Sequence, residues 1–504
     1  TLLLMIGNRV LQTKITEALK SQEIGSLKLT TSEVDVNLLK RKLVLHKIEI
    51  TDSVNQLNIV IPEIIVKGVK ILPYIFSSNL NIGHIELSQP HISINLNASD
   101  DHEDTSDEPP SCNNFNLTQV LIENLAVNDV VLLLEKSTDN MPDTVFTGRG
   151  MIYIHDLLLI NNEHSPNSEN LSAKGFNAKI FDIAYNIPGD IYRFTVDSVL
   201  FDTYDEELIV DNLKLSSLHS KYGTGQFMGV ETDWFDISLP KATFYKITFE
   251  PILTDSVLTF RKAVLEGLDA HIFRDKRQPF PDKPDTKLPI EMLNSLPVAF
   301  HSDSILITDA QVVYEEHSEN SNEPGMVTFN NLYASIYNLS TLTDSIKGQT
   351  AMSARAMVMN EALLQAEFVF PNNLHPLNYS ASGNLEPVEL AAFNRMLIPS
   401  AHVNVDDGQL KSLDFKFTYN EDNSDGKLIM EYENLNIKIL DPEDGSSKRF
   451  KTFITETFVL KQNNLKEKNN YQEGTISFER DKKRSVFNYW WKSLFSGIKD
   501  ILAF

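Results

Sequence analysis

The chain has 504 residues, a formal net charge of −24 at pH 7 and one cysteine, Cys112. The excess of acidic residues excludes nucleic acid as a general partner, because most of the surface would repel its phosphates. A lone cysteine forms neither an intramolecular disulfide nor a cysteine-based metal site, so it leaves the redox compartment open. A chain of this length holds about two to four ordinary domains or one long repetitive structure.

The N-terminal segment, residues 1–20, has an apolar run over residues 2–6 that is followed by Asn8 and Arg9. A membrane-spanning helix needs roughly 20 apolar residues, so the run by itself is too short. An apolar span with a cationic flank is typical of the end of a membrane anchor. We therefore interpret residues 1–20 as the remnant of an N-terminal anchor and a first helix; an ordinary amphipathic helix is the alternative.

Alternation of apolar and polar residues dominates the chain and predicts strands with one buried face. The predicted strands cover residues 27–50, 120–134, 151–160, 173–185, 194–201, 207–215, 327–339, 364–370, 402–419, 427–440 and 474–478. Helical spacing is confined to residues 289–296, residues 387–398 and the C-terminus. The fold class predicted is mainly β: an elongated, twisted, repetitive antiparallel sheet, groove-like or sandwich-like, with few short helices and a C-terminal amphipathic helix.

An internal repeat relates two parts of the chain. Residues 59–95 align without a gap with residues 237–273, at an offset of 178 residues. The matched pairs are Pro62 with Pro240, Pro73 with Pro251, Leu80 with Leu258, Ile82 with Phe260, Leu87 with Leu265, and Ile94 with Ile272.

Farther along, residues 127–136 resemble residues 307–316 at an offset of 180, so the intervening segments differ by two residues. A repeated strand, connector and strand indicates stacked, repetitive sheet. We interpret the pattern as a duplication, with a first half over residues 21–231 and a second half over residues 232–484.

The C-terminal segment, residues 485–504, has apolar side chains at helical spacing and a polar opposite face. The apolar positions are Phe487, Trp490, Trp491, Leu494, Phe495, Ile498 and Leu502. Tryptophan beside lysine and arginine is typical of a helix that lies in a membrane interface, so we predict that this helix docks on a membrane or a partner. The alternative is a terminal helix that caps the sheet by laying its apolar face on it.

Motifs of catalysis are absent from the sequence. There is no serine nucleophile elbow, no H-E-x-x-H pair, no phosphate-binding loop and no dinucleotide fingerprint. We therefore predict a protein that is not an enzyme, with no catalytic residues, no metal site and no cofactor. A hydrolase is the least supported alternative, because no nucleophile and base come together in any motif.

Three stretches carry a family resemblance: residues 25–50, residues 61–94 and residues 382–417, which form a late module of strand, helix with Asn394, and strand after a turn at residues 408–410. In these stretches the chain resembles the AsmA-like family of Gram-negative envelope proteins, which is related to bridge-like lipid-transfer proteins. The resemblance implies a periplasmic, β-rich protein that is anchored to the inner membrane. It also implies a role in lipid transport and outer-membrane biogenesis, with phospholipid or another envelope lipid, the membrane and an envelope protein as partners.

Under this interpretation, apolar residues of the repeat line a groove that holds lipid acyl chains. The groove candidates are Ile59, Ile61, Ile82, Ile92 and Ile94, and their mates Ile237, Leu239, Phe260, Ala270 and Ile272. A strand with one apolar face lines a lipid trough or a sandwich core equally well, and alternation does not separate the two. The alternative function is therefore a β-rich envelope scaffold that binds a membrane-protein partner and holds no lipid.

Overall fold

The structure is a computed structural model of the chain. It describes residues 2–19, 22–24, 27–52, 56–70, 78–95, 118–138, 141–160, 171–248, 257–296, 298–342, 349–371, 379–440 and 461–502. Cys112, Pro73 and Pro251 lie outside these ranges. The described residues confirm the mainly β class, because the strands form one large mixed sheet with five short helices, one of them at the C-terminus. The chain divides into two compact units, residues 1–212 and 213–504; the predicted boundary of the repeat at residue 231 stays a prediction.

The first unit begins with helix α1 (Leu2–Leu19) and continues with strands. These are β1 (Gln22–Ile24), β2 (Leu27–Thr30), β3 (Glu33–Asn37), β4 (Lys42–Asp52), β5 (Leu57–Lys67), β6 (Asn79–Ile82), β7 (His84–Ser88), β8 (His91–Asn95), β9 (Gln119–Thr138), β10 (Met141–Ile160), β11 (Leu171–Ser172), β12 (Gly175–Asn186) and β13 (Tyr192–Asp202). Strand β14 (Glu207–Ser217) runs through residue 212, where the units divide.

The second unit combines strands with four helices. The helices are α2 (Gly223–Met228), α3 (Pro289–Asn294), α4 (Asn394–Ala401) and α5 (Val486–Leu502). The strands are β15 (Asp233–Tyr245), β16 (Val257–Glu266), β17 (Asp269–Asp275), β18 (Ala299–His317), β19 (Gly325–Ser340), β20 (Gln349–Val358), β21 (Ala362–Pro371), β22 (Tyr379–Leu385), β23 (Val388–Glu389), β24 (Val403–Tyr419), β25 (Asn423–Ile439) and β26 (Gly474–Glu479).

The repeat is visible as the same strand pairing in both units. Strand β5 pairs antiparallel with β7 and β8, which run parallel to the long strand β9. Strand β15 pairs in the same way with β16 and β17, which run parallel to β18. Ile94 lies opposite Leu134, and its mate Ile272 lies opposite Tyr314. Ile94 and Ile272 are 178 residues apart, whereas Leu134 and Tyr314 are 180 residues apart, so the predicted two-residue difference is present. Most other pairs are antiparallel, and these parallel pairs make the sheet mixed.

β-Bulges keep apolar residues on one face of the long strands. Val127 lies opposite Ile152 and Val130 lies opposite Gly150, so the bulge puts Val127 and Val130 on one face although they are three residues apart. Asp129 in this bulge has a φ of 54°, a left-handed conformation that aspartate tolerates. Asp309 of β18 has a φ of 52° at the equivalent bulge. Strict alternation therefore fails along these strands.

The core of the second unit lies between its C-terminal strands and helix α5. Its fully buried side chains include Tyr379, Tyr419, Leu428, Tyr432 and Ile476. The predicted helix at residues 387–398 is a 3₁₀ turn (Leu390–Phe393) followed by α4. The predicted turn at residues 408–410 is instead an irregular part of the continuous strand β24.

Asn394 attaches α4 to the next strand. Its Nδ2 donates to the carbonyl oxygen of Val405 at 2.9 Å, and its Oδ1 accepts from the N–H of Val405 at 2.8 Å. The asparagine predicted in the late module thus fixes the position of a short helix on β24.

Helix α5 also caps the edge of strand β26. The N–H of Thr475 donates to Oδ2 of Asp500 at 2.7 Å, and the N–H of Ser477 donates to Oγ of Ser496 at 3.1 Å. Hydrogen-bonding groups at a sheet edge that have no strand partner invite pairing with another chain, and these side chains occupy them.

Replacement of Asp500 by alanine tests this cap. We expect Asp500→Ala to lower the free energy of unfolding by about 1 kcal/mol, because the N–H of Thr475 loses a charged acceptor. Urea unfolding followed by tryptophan fluorescence measures the change. Glu479→Ala, which removes an exposed carboxylate from the same strand, is the control. Equal losses in the two variants would contradict the capping role.

Candidate apolar binding face

One face of the first unit carries apolar side chains from six neighbouring strands. A row of directly opposed residues crosses β5, β8, β9, β10, β12 and β13. The row consists of Leu57, Ile94, Leu134, Phe146, Tyr185 and Phe194. A second row, two residues along the strands, consists of Ile59, Ile92, Leu132 and Gly148. Opposed residues share a face of the sheet, and we call these ten residues the apolar face.

The opposite side of the same strands carries more polar side chains than the apolar face does. Between the two rows of the apolar face, Asn58 lies opposite Ser93, Ser93 opposite Leu133, and Leu133 opposite Thr147. Farther along β10, Arg149 forms an ion pair with Asp182. The two sides of the sheet therefore differ in chemistry.

The apolar face is half-buried rather than buried, except at Gly148. In the described part of this unit, helix α1 packs on β3, and no helix makes an extensive contact with β9, β10, β12 or β13. Five strand spacings make the face about 24 Å wide. Apolar side chains on a sheet face of this size, uncovered by a helix, are a candidate binding surface.

The structure brings most of the first-unit groove candidates together. Ile59, Ile92 and Ile94 belong to the apolar face, and Ile61 follows Ile59 on the same strand but is 4% exposed. Ile82 lies elsewhere. It is opposite Ile122 on β9, ten residues from Leu132, which corresponds to about 33 Å along the strand. Ile82 therefore lies apart from the apolar face, toward the other end of β9, and its role in a groove stays a prediction.

The second-unit candidates occupy a more enclosed environment. Leu239, Phe260 and Ala270 are buried. Ile237 and Ile272 are half-buried. Phe260 packs edge-on against Phe244, with 5.1 Å between ring centroids.

Tyr314 is the second-unit equivalent of Leu134, which belongs to the apolar face. The ring of Tyr314 contacts Phe487 of α5, with 5.8 Å between ring centroids. Helix α5 thus covers part of the second-unit copy of this face. In the described part of the first unit, no helix takes that place.

Helix α5 lies on the sheet with one side and faces outward with the other. Trp490, Leu494 and Ile498 pack against the core cluster, as the capping alternative predicts. Phe487 and Trp491 are 46% and 44% exposed. Phe495 stacks on Trp491, with 5.9 Å between ring centroids. Docking on a membrane or partner stays a prediction for Phe487, Trp491 and Phe495.

Alternation alone does not identify several residues of this face, notably Leu132, Leu134, Phe146 and Phe194. The run of five apolar residues at 130–134 was a signal for Leu132 and Leu134. Their strand partners Phe146 and Phe194 follow only from the register of β10, β12 and β13.

No family model and no curated protein matches the chain. In the described ranges, no helix combines the length and the apolar character that crossing a membrane requires. The same ranges contain no group of three or more His, Cys, Asp or Glu side chains that could hold a metal ion.

Proposed function

We propose that the protein is a non-enzymatic lipid-binding protein of the bacterial envelope and that its apolar face contacts lipid acyl chains. The observation that carries the proposal is the row from Leu57 to Phe194, which is apolar on six strands, half-buried, and uncovered by any described helix of its unit. Transfer of each methylene group from water onto such a surface gains up to about 0.8 kcal/mol. An acyl chain along the row would therefore bind without any polar contact.

The resemblance in residues 25–50, 61–94 and 382–417 supplies the cellular part of the proposal. From it we infer a periplasmic protein that is attached to the inner membrane by its N-terminal segment and has a role in lipid transport for outer-membrane biogenesis. The outward side of α5 supports attachment to a membrane, because Lys492 and Lys499 lie 5.8 and 5.7 Å from the ring of Phe495. Aromatic rings with neighbouring ammonium groups suit the headgroup region.

A second candidate function is an envelope scaffold that holds no lipid. The exposed rings of Phe487 and Trp491 favour it, because large aromatic side chains dominate the energetics of protein interfaces. In this alternative, the outward side of α5 binds a membrane protein and the apolar face has only a packing role.

The lipid-binding proposal predicts a loss of bound lipid after a change on one face only. The full chain is purified from bacterial envelopes, and bound phospholipid is measured by native mass spectrometry and lipid extraction. The double variant Leu132→Asp, Leu134→Asp should retain at most about a tenth of the lipid, because two carboxylates in the contact surface must be desolvated.

Leu133→Asp is the matched control, because it makes the same substitution on the same strand with the side chain on the polar side. Circular dichroism checks that all variants fold. Equal lipid content in the double variant and the control would reject the apolar face as the lipid site. A folded wild-type protein without lipid would favour the scaffold.

A further inference from the structure

A second concave surface lies in the second unit, and its lining combines rows of polar side chains with a larger apolar area. It encloses a cavity of about 840 Å³ over strands β18, β19, β20, β21, β22, β24 and β25. One row of directly opposed residues across its floor consists of Tyr333, Arg355, Gln365, Asn384, Asp414 and Ile429. The adjacent row consists of Leu306, Ser335, Ser353, Glu367, Ser382, Lys416 and Lys427. We call this surface the polar trough.

The trough is separate from the core of its unit. The residues between its two rows are Ala334, Ala354, Ala366, Gly383 and Phe415, whose Cβ positions alternate to the other side of the sheet. Ala366 and Phe415 on that side belong to the core cluster or pack against it. The trough therefore faces away from the cluster and is open to a ligand.

The charges in the trough nearly balance. Its two rows contain three cations, Arg355, Lys416 and Lys427, and two carboxylates, Glu367 and Asp414. The carboxylates disfavour a polyanion, and a ligand that covers the serine, amide and charged groups must replace the hydrogen bonds that these groups make to water. A neutral ligand with many hydroxyl groups offers donors and acceptors to both kinds of charge.

Two tyrosines give the trough flat apolar surfaces. Tyr333 is held in place, because its hydroxyl donates to Asp309 and the guanidinium of Arg355 lies 5.0 Å from its ring centroid. Tyr337, four residues along β19, is 51% exposed. The two positions are about 13 Å apart along the strand. A pre-positioned ring and an exposed ring at this spacing suit a ligand with several ring-shaped units.

We propose that the polar trough binds a neutral oligosaccharide. Tyr333 and Tyr337 contact the apolar faces of the sugar rings, and the serine, amide and charged groups of the floor hydrogen-bond the hydroxyl groups. The saccharide is free in solution or forms the headgroup of a glycolipid. The site is independent of the apolar face, so failure of either proposal leaves the other standing.

Saturation-transfer NMR with the full chain tests the proposal. The probes are maltoheptaose and chitohexaose, and dextran sulfate is the anionic comparison. At least one neutral oligosaccharide should bind, and Tyr337→Ala should weaken its binding about tenfold, because the ring contact is lost. Tyr337→Phe should bind as the wild type does, since the ring remains. Tyr153→Ala, which removes a 41% exposed strand tyrosine from the first unit, should have no effect.

A parallel titration uses a glycolipid with the same neutral headgroup in detergent micelles. Equal affinities in the two titrations would show that the free saccharide is sufficient for binding. Tighter binding of the glycolipid would identify the ligand as the headgroup of a glycolipid. The proposal is overturned if neither neutral oligosaccharide nor glycolipid binds, if Tyr337→Ala binds as tightly as the wild type, or if dextran sulfate binds in preference.

Discussion

Replacement of Glu315 by alanine should lower the free energy of unfolding of the second unit by about 3 kcal/mol. Glu315 is 5% exposed; its carboxylate accepts a hydrogen bond from the Lys221 ammonium group and lies 2.5 Å from Nε2 of His271. Lys221 is itself partly buried against the ring of Phe273, at 4.6 Å from its centroid. Removal of the carboxylate leaves this ammonium group without its partner in a poorly solvated position. Urea unfolding, followed by the fluorescence of the three tryptophans, all of which lie in the second unit, measures the loss.

The effect of Glu315→Ala should depend on pH in one direction. Burial raises the pKa of the Glu315 carboxyl, but the hydrogen bonds and charges of Lys221 and His271 outweigh burial and hold the pKa below its ordinary value. A carboxyl with a depressed pKa stabilises the fold above its unfolded pKa and loses this contribution as the pH falls through the folded pKa. The difference between wild type and variant should therefore be complete at pH 7 and shrink below about pH 4.

Asp303→Ala on the same strand is the control for Glu315→Ala. Asp303 pairs with Arg261, and its side chain is 59% exposed, so its removal should cost at most about 0.5 kcal/mol. If Glu315→Ala loses as little free energy of unfolding as Asp303→Ala, or if its loss is the same at pH 7 and pH 3, the ion-pair account is contradicted.

Much of the repeat could be predicted from the sequence, because the offset between its copies preserves the pairing register. Pro62 and Pro240 sit at equivalent positions of β5 and β15, and the two-residue difference reappears as the shift between Leu134 and Tyr314. Helix α5 was predictable for a similar reason, since its apolar stripe needs no knowledge of distant partners.

The apolar face could be predicted only in part, for two physical reasons. Alternation assumes an unbroken ladder, whereas the bulges at Asp129 and Asp309 shift which residues share a face. Alternation also says nothing of which strand lies beside which, so Ile82 could not be separated from Ile92 before the parallel pairing of β6 and β8 with β9 was known. The Glu315 ion pairs depend on contacts between residues 94 and 44 positions apart, which no local pattern encodes.

The contact between helix α5 and strand β26 is close enough that one methyl group should disrupt it. A Cβ at Gly474 would lie 2.2 Å from the carbonyl oxygen of Gly497, and a Cβ at Gly497 would lie 2.9 Å from Cβ of Leu428. Both obstacles are backbone or near-backbone atoms, so a rotamer change does not relieve them. Gly474→Ala must therefore move the helix outward by about 1 Å.

Such a shift should cost about 3 kcal/mol, because the helix face that packs on the core cluster loses its fit. Trp490, whose ring lies 4.6 Å from Phe368, should become more solvated, so its emission should shift to the red in the native state. Urea unfolding and native-state fluorescence of the full chain measure both effects. Thr475→Ala, at the adjacent exposed position of β26, is the control and should leave the emission unchanged. If Gly474→Ala is as stable as this control and its emission does not shift, α5 does not depend on the glycine pair for its position on the sheet.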